Sequence, residues 1–390
     1  MSYDHRDVGR ILDLFHFQEE AVGSVFWHPN GWFIYSQIQE YIRSVQKKYG
    51  YKEVNSPQMV RRSLWEKSGH WDNYKQNMFC VEGVDGPEYA LKPMNCACHI
   101  QIFNQRVISW RELPLRYAEF GRCMRNEPSG SLSGLMRVRS FVQDDAHIFC
   151  AENQIESEVA KFSEMAREVY SHFGFPSFQV RFSGRPENSA GSDEQWLLAE
   201  EALKRACLSA KIDYEFAPGE GAFYGPKLEF MIKDHAGKEW QCGTIQVDFV
   251  LPERLDVEYR DKENNAHRRP VILHRAILGS FERFIGILLE NHGCELPSWL
   301  HPRKLAIINL SGEDINPLID ASGLSIDQIA IDESRKNLSG LIKQFSLQKY
   351  SHIIVYGKKE KESGLLPIAS LSGERVSIPI DELKSFIMES

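Results

Sequence analysis

Residues 115–150 read LRYAEFGRCMRNEPSGSLSGLMRVRSFVQDDAHIFC, and this stretch decides the fold. Leu115–Arg125 and Phe141–Cys150 are two β-like runs. The segment joining them carries Pro128-Ser129-Gly130-Ser131-Leu132-Ser133-Gly134, a density of turn formers that predicts a long antiparallel hairpin. Upstream, residues 32–48 read as a helix, because Ile34, Ile38, Tyr41 and Val45 recur at spacings of 4, 3 and 4. An extended stretch, Val54-Asn55-Ser56, follows and ends at Pro57. Downstream, Ile155, Val159, Phe162, Ala166, Val169 and Phe173 put one buried face on a helix over 152–173. A strand pair is expected near Phe223–Ile232 and Gln241–Leu251. Val271–His274 reads as a short strand leading through Gly279-Ser280 into a helix from Phe281 to about Glu290.

The pattern changes after Leu296-Pro297-Ser298-Trp299-Leu300-His301-Pro302, where two prolines flank an apolar turn. Beyond it, Leu305–Leu310, Ile353–Val355 and Val376–Ile380 read as strands, Leu338–Phe345 and Ile380–Met388 as helices. This alternation predicts a small α/β domain at 301–390 after a larger one at 1–300. A chain of 390 residues has room for both. Its 42% hydrophobic and 26% charged residues exclude collagen-like, low-complexity and largely disordered classes. No run approaches the ~18 apolar residues of a membrane span, so no membrane partner is expected. Asp4, Asp7 and Asp13 argue against a secretory signal or transit peptide, which places the chain in the cytoplasm. A net charge of −8 excludes a whole-chain basic footprint but leaves room for a local basic stripe. Eight cysteines without a regular framework read as reduced thiols, some of them available to metal.

Arginines stand in unusual company: Arg125-Asn126-Glu127-Pro128 ends the first strand, Arg137 and Arg139 sit across the turn, and Arg283 lies within Gly279–Phe284. Arginine offers a planar fork for phosphate and carboxylate, though any one of these alone reads as a surface charge. Together, a strand ending in Arg-x-Glu, a loop, a returning strand that begins with Phe141 and a distant Gly-x-x-x-Arg resemble motifs 2 and 3 of class II aminoacyl-tRNA synthetases. Gly31–Pro57 resembles motif 1. Further blocks are similar to the catalytic domain of the threonyl-tRNA synthetase family over nearly all of residues 4–300: Leu64–Trp71, Lys92–Cys96, Gln143–Phe149, Gly221–Lys227, Gln241–Gln246 and Ile272–Arg275. The resemblance implies an α+β class II antiparallel sheet flanked by helices, followed by a small α/β anticodon-binding-like domain.

It also implies roles. Cys96, His147 and His274 match the family's zinc ligands, although alone each reads as an ordinary packed residue. Three ligands leave a fourth position open. A zinc ion taking threonine's amino and hydroxyl groups would refuse valine, which a purely apolar pocket separates by only roughly 10–200-fold. Met94, Gln143, Asp145, Tyr224 and Gln246 would line threonine, with Asp145 accepting the hydroxyl proton. ATP, with Mg²⁺, would meet Arg125 at the α-phosphate, Arg137 at the outer phosphates and Glu127 at the adenine amino group. Phe141 and Arg283 would sandwich the adenine, and Gln241 and Ser280 would line the ribose and phosphates. Arg125 and Arg283 are then the catalytic arginines. His70 matches a position implicated in proton transfer to tRNA, with a packing histidine as the alternative. In Cys96-Ala97-Cys98-His99 the family has Pro-Gly where this chain has Ala97-Cys98. Cys98 is expected to be a packed thiol, on a substitution beside a metal ligand.

The resemblance weakens after residue 301. Tyr356–Gly364 keeps an expected turn, and Lys358-Lys359-Glu360-Lys361-Glu362 reads as a solvated loop. The family's basic strand is here Leu366-Pro367-Ile368-Ala369-Ser370-Leu371, and Asp332-Glu333-Ser334-Arg335-Lys336-Asn337 replaces its basic approach to a helix. Residues 302–390 hold 11 Lys and Arg against 12 Asp and Glu, a net of −1. Weakened, altered or lost anticodon reading is therefore expected. From the resemblance, a compact form that starts at the catalytic domain, without the family's N-terminal editing domains, is expected. Serine activation, with clearance of seryl-tRNA left to a separate editing factor, is the expectation. The readings are a compact synthetase charging tRNA(Thr), homodimeric through 31–57, and an adenylate-forming paralogue that hands threonine to another acceptor such as a carrier protein. A non-catalytic regulator is the third; the intact zinc and arginine positions argue against it.

Overall fold

In the computed structural model, which describes residues 3–84, 86, 88–234, 236–262, 266–310, 312–334, 337–371 and 373–389, the 115–150 stretch is the expected hairpin. Arg335 and Lys336 of the Asp332–Asn337 stretch lie outside those residues. The hairpin belongs to a sheet with eight strands among the described residues: Lys52–Glu53 (β1), Leu115–Met124 (β2), Ser140–Cys150 (β3), Phe178–Ser183 (β4), Glu215–Ala217 (β5), Lys227–Lys233 (β6), Glu239–Asp248 (β7) and Val271–Ala276 (β8). Their order is β5-β4-β6-β7-β8-β3-β2-β1. Neighbours are antiparallel except the two edge pairs, β4 with β5 and β1 with β2.

The second strand pair is displaced from its expected bounds. Phe223 and Tyr224 precede β6 in turns, and β7 ends at Asp248. Asp248 itself ends it: its carboxylate accepts the N–H groups of Val250 (2.7 Å) and Leu251 (2.9 Å), capping a short helix, Val250–Arg254. Leu251 is therefore helical, not extended. The periodic helices form at Pro29–Lys48, Ile155–His172 and Phe281–His292. The first starts ahead of its pattern because proline suits a first turn. Ile155–His172 packs Phe162 on Phe230 of β6 and pairs Glu158 bidentately with Arg116 of β2 (2.6 and 2.7 Å). Trp65, Ile100, Phe103, Phe149, Leu251 and Ile272 belong to one buried core beneath the hairpin.

The chain divides into two compact units. One comprises Phe17–Val25 and Glu40–Ile287; the other gathers the N-terminal segment to His16, Phe26–Gln39 and the chain from Leu288 onward. In the second, Leu305–Asn309 (β9), Ile329–Asp332 (β10), His352–Tyr356 (β11), Leu365–Ser370 (β12) and Arg375–Pro379 (β13) form a sheet in the order β10-β9-β11-β12-β13. Its first three strands are parallel. The run Leu305-Ala306-Ile307-Ile308 is continuously apolar because β9 is covered on both faces. Leu305 and Ile307 join Leu318, Leu383 and Ile387 on one side, Ala306 and Ile308 join Leu341 and Phe345 on the other. The expected turn and loop at 356–364 contain a short helix, Lys358–Ser363, closed by Gly364 at φ 67°. Its exposed charges face solvent while Lys361 pairs with Glu313 (2.6 Å). Ile380, expected both to end a strand and to begin a helix, begins a 3₁₀ turn that leads into helix Leu383–Glu389, and the strand ends at Pro379. No helix among the described residues is long and apolar enough to cross a membrane, and all eight cysteines are free thiols.

Candidate active site

Successive side chains on a strand alternate in direction, so Phe141, Gln143, Asp145 and His147 of β3 share one face. Register extends the row sideways: His147 lies opposite His274 of β8, which lies opposite Gln246 of β7. On β2 the partners are Cys123, Gly121, Glu119 and Tyr117. A cleft of about 600 Å³ opens over this face. Met94 and Cys96 reach it from the start of helix Cys96–Phe103, Arg125, Glu127 and Arg137 from the hairpin, and Tyr224, Gln241, Ser280 and Arg283 from the far side. Of the residues expected at the site, only His70 does not line it. Thr244, Arg275 and Met136 line it without having been anticipated.

At one end, Cys96 Sγ and one ring nitrogen each of His147 and His274 lie within 4.8 Å of one another, all three residues buried. Tetrahedral zinc bonds of about 2.0–2.3 Å place donors roughly 3.3–3.8 Å apart, so a small inward movement completes such a site. One thiolate and two imidazoles suit zinc and leave a coordination position for substrate. Burial drives His147 well below the usual histidine range, which keeps its ring neutral for ligation. Burial, with Asp145 nearby, pushes the Cys96 thiol well up, so metal binding must displace a thiol proton. Cys98 is buried and stands outside this cluster. His70 is fully buried, its Nε2 3.3 Å from Cys96 Sγ and its Nδ1 2.8 Å from Ser68 Oγ. Burial first, then the positive potential of His274, lowers it to about 3.

At the other end the groups suit a nucleotide. The Arg125 guanidinium lies 5.0 Å from the Phe141 ring centroid and its Nε donates to the Pro93 carbonyl (3.3 Å). Arg137, 56% exposed, pairs with Glu127 (2.7 Å). Arg283 stands 5.9 Å from the Trp240 centroid, and its buried Nε has no hydrogen-bond partner among the described residues. Asp144, on the opposite face of β3, accepts the N–H groups of Ile277 (2.8 Å), Leu278 (3.0 Å) and Gly279 (3.2 Å). That clamp sets the strap that delivers Ser280 and Arg283, and Gly279 turns it at φ 81°. Asp145 receives Asn95 Nδ2 at 2.9 Å, and burial pushes its carboxyl up. Asn95, His99, Asp144 and Asp248 had no expected role. Asn95 and Asp144 stand in the blocks Lys92–Cys96 and Gln143–Phe149 and His99 in Cys96-Ala97-Cys98-His99, but their partners appear only when the sheet register brings them together.

Residues 79–292 match the family described as tRNA synthetase class II core domain (G, H, P, S and T). The chain is 52% identical over 377 residues to the threonine–tRNA ligase of Gluconacetobacter diazotrophicus, covering 95% of this chain and 58% of that protein. It is 53% identical over 371 residues to that of Cupriavidus necator, covering 94% and 58%. It thus spans little more than half the length of these curated relatives. The crystal structure of the RNA binding domain of threonyl-tRNA synthetase from Cryptosporidium parvum Iowa II superposes with a TM-score of 0.93 at 37% identity, covering 99% of this chain and 98% of that one.

Proposed function

The chain belongs to the threonyl-tRNA synthetase family of class II, and from that premise we propose that it activates L-threonine with ATP and transfers it to the 3′ end of tRNA(Thr). One observation carries this reading: a buried Cys-His-His cluster and an arginine–aromatic anion site share one cleft. Cys96, His147 and His274 would hold zinc. Bound there, zinc supplies a position for threonine's amino and hydroxyl groups, which valine cannot fill. Asp145, held by Asn95, takes the hydroxyl proton, and Gln143, Tyr224, Gln246 and Met94 orient the amino acid. A carboxylate oxygen then attacks the α-phosphorus of Mg-ATP, and the bond to pyrophosphate breaks. Arg125 meets the negative charge that gathers there. Arg137 leaves Glu127 for the outer phosphates and frees Glu127 for the adenine, which stacks between Phe141 and Arg283, with Gln241 and Ser280 along the ribose. In the second step a ribose hydroxyl of the terminal tRNA adenosine attacks the adenylate carbonyl and AMP leaves. Residues 1–300 are the proposed catalytic part and 301–390 a diverged anticodon-binding part. A homodimer through 31–57 and work in a reducing cytoplasm complete the reading. Half-exposed Trp32 supports the first and eight free thiols the second. Light scattering tests the dimer.

Zinc chemistry demands the hydroxyl that serine also carries, so serine activation is expected alongside threonine. The second reading, transfer to a non-tRNA acceptor, draws on the net charge of −1 over residues 302–390. Threonine-dependent ATP–pyrophosphate exchange and charging of total tRNA, run on one sample, separate the two. Both activities together support the synthetase; exchange without charging supports the other acceptor. Cys96→Ser should lose zinc and exchange together, and exchange that survives without metal removes the selection mechanism.

A further inference from the structure

Outside the residues that line the cleft lies a line of buried polar groups that neither chemical step uses. His147 Nδ1 is 2.8 Å from His99 Nδ1, and His99 Nε2 is 2.9 Å from Glu119 Oε2. Glu119 Oε1 meets Lys92 Nζ at 2.9 Å, and Ser56 donates to Glu119 through its backbone N–H (2.9 Å) and its hydroxyl (2.7 Å). Lys92, His99 and Glu119 are each 2% exposed or less. Such a buried ion pair stabilises a fold no better than apolar residues of the same volume, while each ion carries a desolvation penalty of several kcal/mol. Its presence beside a ligand points to a positioning task.

The hydrogen-bond partners constrain which atoms carry protons. Glu119 receives Lys92 and two Ser56 donors; burial pushes its carboxyl up, but the bonds from His99, Ser56 and Lys92 outweigh it and hold it down to about 2. An ionised carboxylate only accepts, so His99 Nε2–H donates to it. A His99 ring with one proton, on Nε2, has its lone pair on Nδ1, and His147 Nδ1–H then donates to that lone pair. This leaves His147 Nε2 without a proton, as a metal ligand must be. His274 is set the other way: its Nε2–H donates to Asp248 Oδ2 at 2.8 Å, which frees Nδ1.

We propose that Lys92, Glu119 and His99 are positioning residues, a buried relay that selects the Nδ1–H tautomer of His147 before zinc arrives. This rests on the zinc reading above and extends it to residues outside the cleft. The test uses the whole chain and zinc alone. Zinc affinity is measured by chelator competition at fixed pH for the wild type, for Cys96→Ser and for His99→Phe. Long-range ¹⁵N–¹H spectra of the zinc-free wild type, with histidines assigned by substitution, report the tautomers. The relay predicts His147 protonated at Nδ1 and His99 at Nε2, and a loss of affinity of roughly 10–100-fold in His99→Phe. His99→Phe with wild-type affinity overturns it, as does His147 protonated at Nε2. If His99→Phe fails to fold, the wild-type spectra decide. A wild type that takes up no zinc defeats the metal reading itself, and the relay falls with it.

Discussion

Gly121 shows how one missing methyl group keeps a site in order. A Cβ there would lie 2.3 Å from Asn95 Oδ1 and 2.4 Å from its Nδ2, and Asn95 holds Asp145. Gly121→Ala should displace Asn95, cost about 1–3 kcal/mol of stability and lower threonine-dependent exchange about tenfold or more, with valine discrimination eroding alongside. Wild-type exchange in a folded Gly121→Ala would refute this. His70 calls for a two-assay test. Its Nε2 lies 3.3 Å from Cys96 Sγ, and its ring stands beside Tyr224 of the cleft. If it serves tRNA transfer, His70→Ala keeps exchange and zinc content and loses charging; if it seats the thiolate, all three fall together. Glu119 makes a pH prediction. Its folded-state value of about 2 lies below the 4.5 of an unperturbed glutamate, so between those values the unfolded chain binds more protons. The stability it contributes is fully present above pH 4.5 and is lost as pH falls toward 2. Denaturant titrations at a series of pH values should show a steeper acid loss in the wild type than in Glu119→Gln.

At the scale of elements, β2 and helix Ile155–His172 are joined by Arg116 and Glu158, whose side chains are 15% and 1% exposed. Glu158→Ala would leave a largely buried guanidinium without its carboxylate, and a loss of about 3–5 kcal/mol is expected. Urea unfolding measures it; a loss under 1 kcal/mol would mean that water replaces the partner at little cost. The element patterns also show why some of the fold was legible and some not. The hairpin and the 155–172 helix combine a strict period with turn formers or a single apolar face. Strand β5 has less to read, because it is a three-residue edge strand with Phe216 half exposed. The 358–363 helix is a run of mixed charge without an apolar face, and Gly364 in a left-handed conformation ends it.

At the scale of the molecule, recognition of tRNA is the open quantity. Phosphate neutralisation supplies much of nucleic-acid affinity, and residues 302–390 carry no basic excess. Changing anticodon bases in a tRNA(Thr) transcript should therefore lower charging kcat/KM by less than about tenfold, a shift of under 1.4 kcal/mol. A hundredfold drop would show that this part of the chain reads the anticodon through hydrogen bonds rather than charge.

Most of the cleft was legible in the sequence because its residues sit in compact motifs: Arg125-Asn126-Glu127, Gln143-Asp144-Asp145-Ala146-His147, Ile272-Leu273-His274 and Gly279–Arg283. The strand period then sends alternate residues of such a motif to one face. The chain pattern alone also determined a continuous apolar β9. Tertiary structure alone decided what holds those residues. Asn95 meets Asp145, His99 meets His147 and Asp248 meets His274 only once sheet register and the Cys96–Phe103 helix bring distant segments within hydrogen-bond range. It also decided that the N-terminal segment belongs with the chain after Leu288, where His5 Nδ1 lies 2.8 Å from Glu290 Oε1. Local period and turn chemistry act over a few residues and are written in order along the chain. A hydrogen bond between residues 285 positions apart exists only after the backbone has closed.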